Sequence, residues 1–197
     1  EGIGGFDPSL KPAAADPEGA KKLLTEAGYP QGFGLTLHTS NDRFPGDAET
    51  AQGIGQMFAR GGIKVNGVVA QPYNVYASAA GKQQFSAFIF PLGTTTPPAA
   101  TSLRNLLMTP NKEAGTGSFN RTRYSNAQFD AKMKEATSEF DPQKRVALLQ
   151  EATRIAMTDV GVIPLFWPKV YWASKANVTY TPNRGEDLMA PLAGIAQ

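Results

Sequence analysis

The chain contains no cysteine and a single histidine, and its 19 basic side chains nearly cancel its 17 acidic ones. Without cysteine there is no disulfide framework, no thiol nucleophile and no thiolate metal site. Any His-dependent triad or metal cluster would have to pass through His38, and no second metal-type ligand stands at a motif spacing from it. The sequence therefore points to no catalytic histidine, no metal and no cofactor. A net charge of +2, with Lys and Arg scattered along the chain, argues against a nucleic-acid partner, because such binders concentrate basic residues in a stripe or patch. No stretch approaches the roughly 18 consecutive apolar residues of a membrane span. The opening EGIGGFDPSLKP has neither the basic start nor the apolar run of a signal peptide. Phosphate loops fail as well: Gly81-Lys82 lacks the upstream glycine of a Walker loop, Gly53 and Gly55 lack the third glycine of a dinucleotide turn, and no G-x-S-x-G elbow occurs.

Glycine and proline, by contrast, are plentiful. Twenty glycines and 15 prolines among 197 residues are about 18% of the chain, against a usual share near 12%, and imply many turns. With 41% apolar and 18% charged residues, the chain can bury a core; a chain of this length removes roughly 70% of its unfolded surface from water. The length suits one domain, or one lobe of a larger protein.

Residues 1–15 form a Gly/Pro/Ala-rich lead-in. Asp16 is placed as a helix N-cap with Pro17 in the first turn. Ala20, Leu23, Leu24 and Ala27 then share one helical face until Gly28 ends it. Apolar alternation over 33–39 predicts a half-buried strand, Ala51, Ile54 and Phe58 the buried face of a helix stopped at Gly61-Gly62, and Ile63 to Val69 a second strand. Strand, helix and strand in about 40 residues predict a βαβ unit with parallel strands. Residues 72–82 suit a short helix. Phe85 to Phe90 reads as a strand buried on both faces, and 99–108 as helical. Two longer helices follow a Gly/Asn-rich loop over 110–125. They span 126–139 and 142–158, the second capped by Asp141-Pro142, and are expected to pack together on the sheet. Val162 to Tyr180 is β-rich but interrupted by Pro164 and Pro168.

Two loops follow strands of the expected sheet, where open α/β folds place ligands. In 40–47, Arg43 can grip a carboxylate or phosphate with two parallel hydrogen bonds, and Phe44 can wall a pocket. At 91–98, Leu92 and the preceding Phe90 supply apolar walls, Gly93 is a small residue that lets the loop close on a ligand, and Thr94, Thr95 and Thr96 offer a row of hydroxyls. The equal alternative is that Arg43 is solvated and the threonines cap the next helix. Asp42 and Asp47 flank the first loop and could form an acid/base pair only with a third partner. Asn120-Arg121-Thr122 and Asn177-Val178-Thr179 match the glycosylation triplet, a pattern too short to carry weight.

The order of segments resembles a known family. DPEGAKKLLTEAGYPQGFGLTL (16–37), NDRFPGDAETAQGIGQMFARGGIKV (41–65), SFNRTRYSNAQFDAKMKEA (118–136), DPQKRVALLQEATRIAMTD (141–159) and IPLFWPKVYWASKANVTYTP (163–182) are similar, in order, to stretches of extracytoplasmic solute-binding proteins of the peptide/nickel/opine class of ABC importers. The resemblance implies an α/β, three-layer lobe with a mixed sheet, of the type II periplasmic-binding-protein kind. It further implies that 16–162 form the C-terminal ligand-binding lobe, and that 163–197 return to a missing N-terminal lobe. The function implied is capture of a small solute, oligopeptide-like or related, outside the cytoplasmic membrane and delivery to a membrane permease, with no enzymatic step. By position, Arg43 and Phe44 match a loop that holds the carboxylate end of a dipeptide. Gly93 stands where the family commonly has tryptophan, and Thr96 where an aspartate grips the ligand's amino group. Two alternatives from other classes stand beside this: a hydrolase using Asp42 and Asp47, and a ligand-sensing regulatory domain on the same lobe.

Overall fold

A computed structural model describes residues 3–92, 99–167, 169, 171, 173–181 and 193–195, the last three as backbone. Its first element is helix α1 (Pro17–Glu26), opened by the Asp16 carboxylate, which accepts from the Gly19 N–H at 2.8 Å. Its end is a Schellman motif: with Gly28 at φ +87°, the Tyr29 N–H reaches the Leu24 carbonyl and the Gly28 N–H that of Thr25.

Strand β1 (Gly34–Ser40), helix α2 (Asp47–Arg60) and strand β2 (Lys64–Gln71) follow. β1 pairs with β2 in parallel, as the sequence predicts, with an irregularity between Leu35 and Thr36, which face Val65 and Gly67 and leave Asn66 as an extra residue. Helix α3 (Tyr73–Gly81) leads to β3 (Ala87–Phe88), which pairs in parallel with the other edge of β1, giving the order β2-β1-β3. β3 is shorter than the Phe85–Phe90 run suggests. Phe85 is half-buried and leaves the ladder to stack on His38, centroids 3.9 Å apart, and beside Tyr76 at 5.7 Å. The expected mixed pairing is divided between two sheets. The three-stranded sheet is parallel throughout, and antiparallel pairing is found in a separate ribbon of β4 (Val178–Tyr180) and β5 (Ala193–Ile195).

Helices α4 (Ala99–Leu106), α5 (Ala127–Ser138) and α6 (Pro142–Thr158) complete the described elements. The apolar interior falls into two clusters. One joins Leu37, Ala51 and Ile89 with Leu35, Ile54, Val65, Val68 and Ala87 between α2 and the sheet. The other joins Leu103, Leu107 and Met108 to Phe129, Met133 and Ala136 of α5 and Leu149, Ala152 and Ala156 of α6. Phe129, Met133 and Leu149 are almost fully enclosed, each stabilising the fold by about 1.5–3 kcal/mol. Thus α5 and α6 do pack together, but against α4 rather than on the sheet: their small and large apolar positions are spent on one another, leaving no second stripe for the strands.

The lead-in is tied down. Asp7 is buried against α6, where its carboxylate takes two hydrogen bonds from Arg154 at 2.8 and 3.0 Å and accepts from the Ser9 hydroxyl and N–H. These bonds, those from Ser9 foremost, lower its pKa to about 2. α2, α3 and α6 also end in Schellman motifs, with Gly62, Gln83 and Val160 in the left-handed position. Beyond α6 the chain runs without regular structure over 163–167, where Ile163, Leu165, Phe166 and Trp167 are exposed.

Candidate ligand-binding wall

The loops that leave β1, β2 and β3 gather at the carboxyl end of the parallel sheet. Loop 41–46 is held by backbone and carboxylate bonds. The Asn41 N–H donates to the Gln71 carbonyl at 3.0 Å. The Asp42 carboxylate accepts from the Tyr73 N–H at 2.7 Å, so it caps α3 from across the sheet, where Pro72 offers no side-chain cap of its own. Asp47, the first residue of α2, is buried and accepts from the N–H groups of Arg43 and Ala48 at 3.2 and 2.9 Å. Both carboxylates are thus engaged by backbone donors that shape the loop. That arrangement explains their presence without an acid/base role.

With the loop so fixed, Arg43 is exposed and its guanidinium lies 5.5 Å from the Tyr73 ring centroid. Phe44 is half-buried beside it. Residues 41–49 line an open hollow of about 470 Å³. A second hollow, of about 450 Å³, is built from α5, α6 and residues just outside them and shares no residue with this loop. At the other side of β1, the Ile89 N–H donates to the His38 carbonyl at 2.9 Å, carrying the ladder one residue past β3. Phe90 and Leu92 follow, both half-buried. Gly93, Thr94, Thr95 and Thr96 lie outside the described residues.

Between the two loops stands Tyr76, wholly buried, its hydroxyl donating to the Ile89 carbonyl. Burial raises its pKa, and the nearby charge of Arg121 opposes the rise. Arg121 was not selected by sequence reasoning; the signal in reach was its place in the basic pair Arg121/Arg123. Its guanidinium lies 4.2 Å from the centroid of Phe90 and 5.9 Å from that of Phe119. Asn120 beside it is buried, and its side-chain amide donates to the carbonyls of Met108 and Tyr124 at 3.0 and 2.7 Å. This internal role accounts for the first glycosylation-like triplet.

His38 is held as a ring in an aromatic stack rather than as a ligand. Burial lowers its pKa, and among the described residues no group of three His, Cys, Asp or Glu side chains could hold a metal ion. No helix among them is long and apolar enough to cross a membrane.

A parallel sheet with its loops gathered at the carboxyl end is the arrangement in which open α/β folds place ligands, and the fold is that of a type II periplasmic-binding-protein lobe. The chain belongs to the bacterial extracellular solute-binding proteins, family 5: the family described as "Bacterial extracellular solute-binding proteins, family 5 Middle" matches residues 1–114. Among curated proteins it is similar to the glutathione-binding protein GsiB of Salmonella paratyphi A, 31% identical over 175 residues, covering 87% of this chain and 34% of that protein. The chain thus spans about a third of the length of the curated relatives it matches. Among solved structures it is similar to HbpA2 from Haemophilus parasuis, with a TM-score of 0.73 and 25% identity over 82% of this chain and 31% of that one. It also matches DppA from Helicobacter pylori in complex with the peptide STSA, with a TM-score of 0.71 and 25% identity over 81% of this chain and 30% of that one.

Proposed function

We propose that this chain supplies one wall of the ligand cleft in the substrate-binding component of an ABC importer. That component captures a small solute, oligopeptide-like or related, outside the cytoplasmic membrane and passes it to a membrane permease. The observation that carries this reading is the arrangement of the loops at the carboxyl end of the sheet. Arg43 and Phe44 after β1, and Phe90 and Leu92 after β3, stand on rigid mounts at one end of the sheet in a chain of this family. Gly93, Thr94, Thr95 and Thr96, which continue that second loop in the sequence, complete the proposed wall. Relatives named as binding glutathione, a peptide or mannopinic acid support the solute class.

One wall cannot enclose a ligand, since pockets usually bury about 70–90% of a small one. The working cleft therefore closes between this lobe and a second, by a ligand-driven shift of population. The exposed Trp167 and Tyr171, at 77% and 85% accessibility, with Phe166 and Leu165 beside them, support the reading that 163–197 pack on that second lobe. Large apolar side chains exposed together on one short stretch of chain mark an interaction site.

The test uses the protein made from its complete gene. Calorimetry and small-angle scattering with glutathione, a dipeptide and an opine should give binding of at least one, with contraction of the particle. Arg43→Ala should weaken that ligand about tenfold or more, the worth of a charge-assisted hydrogen bond of roughly 1.5–3 kcal/mol. Chemical turnover of a bound solute, abolished by Asp42→Ala with Asp47→Ala, would establish the hydrolase instead.

A further inference from the structure

We infer that Arg121 is a second anion-binding residue of the wall, and that it takes a carboxylate of the bound solute. The inference depends on the cleft reading only for the identity of the anion's bearer; anion capture itself is tested apart from it.

The guanidinium is mounted by its surroundings and left unsatisfied by them. Phe90 and Phe119 lie 4.2 and 5.9 Å from it. Ring faces attract the cation but accept no N–H bond of hydrogen-bond strength, so the stack orients the planar fork without saturating it. Nη1 is buried and, among the described residues, has no hydrogen-bond partner. A buried charged donor without a partner is unfavourable and calls for an acceptor, best an anionic one that neutralises the charge. Among the described residues none is in place: no ion pair is formed by Arg121. The carboxylates carried by α5 and its surroundings are spent elsewhere. Asp130 accepts from the Thr109 N–H and Asp159 from the Asn126 amide.

The mount is also rigid and well placed. The side-chain amide of Asn120, the residue before Arg121, donates to the carbonyls of Met108 and Tyr124, and the Phe119 N–H donates to the Asn105 carbonyl at 2.9 Å. Phe90 follows β3 at the carboxyl end of the sheet, the end that also carries Arg43. Two guanidiniums, one over Tyr73 and one over Phe90, therefore serve the same end of the sheet from separate elements. The planar fork matches a carboxylate with two parallel N–H bonds.

The experiment is site-resolved modification by phenylglyoxal, read by peptide mass, on the protein from its complete gene. Succinate is the probe and succinamide its uncharged match, and the exposed Arg60 and Arg145 are internal references. Arg121 should react when no anion is present. It should slow about tenfold as succinate reaches some ten times its dissociation constant and be unaffected by succinamide, while the references keep their rates. An Arg121 that is unreactive without succinate is either satisfied by the protein itself or closed to incoming groups, and both overturn the inference. An Arg121 whose rate is the same in all three conditions, or is slowed equally by succinamide, overturns it too. A protein that shows the succinate effect yet neither binds nor closes on any solute would sink the transport reading and leave the anion site standing.

Discussion

Gly28 and Gly32, four residues apart, should respond very differently to the same substitution. Both have positive φ, +87° and +68°. At Gly28 an added Cβ would meet nothing within 4 Å. At Gly32 it would stand well inside contact distance of the Gly62 carbonyl oxygen and 3.0 Å from its carbon. That carbonyl cannot swing away cheaply. Gly62 is itself the left-handed residue that ends α2, it packs against Leu24 and Lys21 of α1, and the Lys64 N–H just beyond donates to the Phe33 carbonyl at 2.9 Å. Gly28→Ala bears the left-handed penalty of about 1–2 kcal/mol, offset by about 0.4–1 kcal/mol from a less flexible unfolded chain, a net loss near 1 kcal/mol. Gly32→Ala bears the same difference plus an overpacking cost of about 1–3 kcal/mol, for a net loss of roughly 2–4 kcal/mol. Urea titrations of the two variants, compared at unchanged slope, measure the gap. Losses within about 0.5 kcal/mol of one another would show that the Gly62 junction yields freely and would refute the reasoning.

Asp42→Ala should destabilise by about 1 kcal/mol through loss of the α3 cap, with Asp42→Asn recovering most of it, as thermal unfolding can show. Val160→Gly should stabilise by about 0.5 kcal/mol, since a β-branched residue in the left-handed position is strained and Val160, mostly exposed, gives up little contact; a loss above about 1 kcal/mol in the same melt would contradict this. Asp7 binds its proton less readily folded, at about 2, than its ordinary 3.8. Its contribution is therefore complete above about 4 and lost as pH falls through that interval; Asp7→Asn should flatten the unfolding midpoint between pH 4 and pH 2. Burial likewise lowers the pKa of His38 below 6.5, so stability should begin to fall as pH drops below that value, and His38→Phe, which keeps the stack on Phe85, should remove this component.

What the sequence made legible was whatever rests on neighbours along the chain. Asp16-Pro17 and Asp141-Pro142 act as the caps their spacing predicts, and the parallel pairing of β1 and β2 follows from strand, helix and strand within one short stretch. Contacts between distant segments were not legible. Asp42 and Asp47 looked like a possible reactive pair because nothing in the local pattern reveals the Tyr73 and Arg43 N–H groups that engage them. The Phe85–Phe90 run looked like a full strand because its alphabet is apolar, whereas Phe85 is claimed by His38 and Tyr76. Arg121 lies in a loop without periodicity, and its setting depends on Phe90, a residue of the other half of the lobe.

The division of the interior into two clusters gives the proposed binding wall a second physical consequence. Loop 41–46 hangs from the unit formed by the sheet and α2, and loop 117–126 from the unit formed by α4, α5 and α6. Across the seam run the Phe90–Arg121 stack and two exposed bonds from Arg123 to Gln83, at 2.7 and 3.2 Å. Units packed chiefly within themselves open from each other at lower free energy than either unfolds. A solute that touches Arg43 on one unit and Arg121 on the other, as proposed above, would stitch them together, adding its binding free energy to the junction between them. Amide hydrogen exchange near Gln83 and Arg123 should then slow on ligation while the centres of β1 and α6 keep their rates, so that on the proposed reading a bound solute would act as a fastener between the two units.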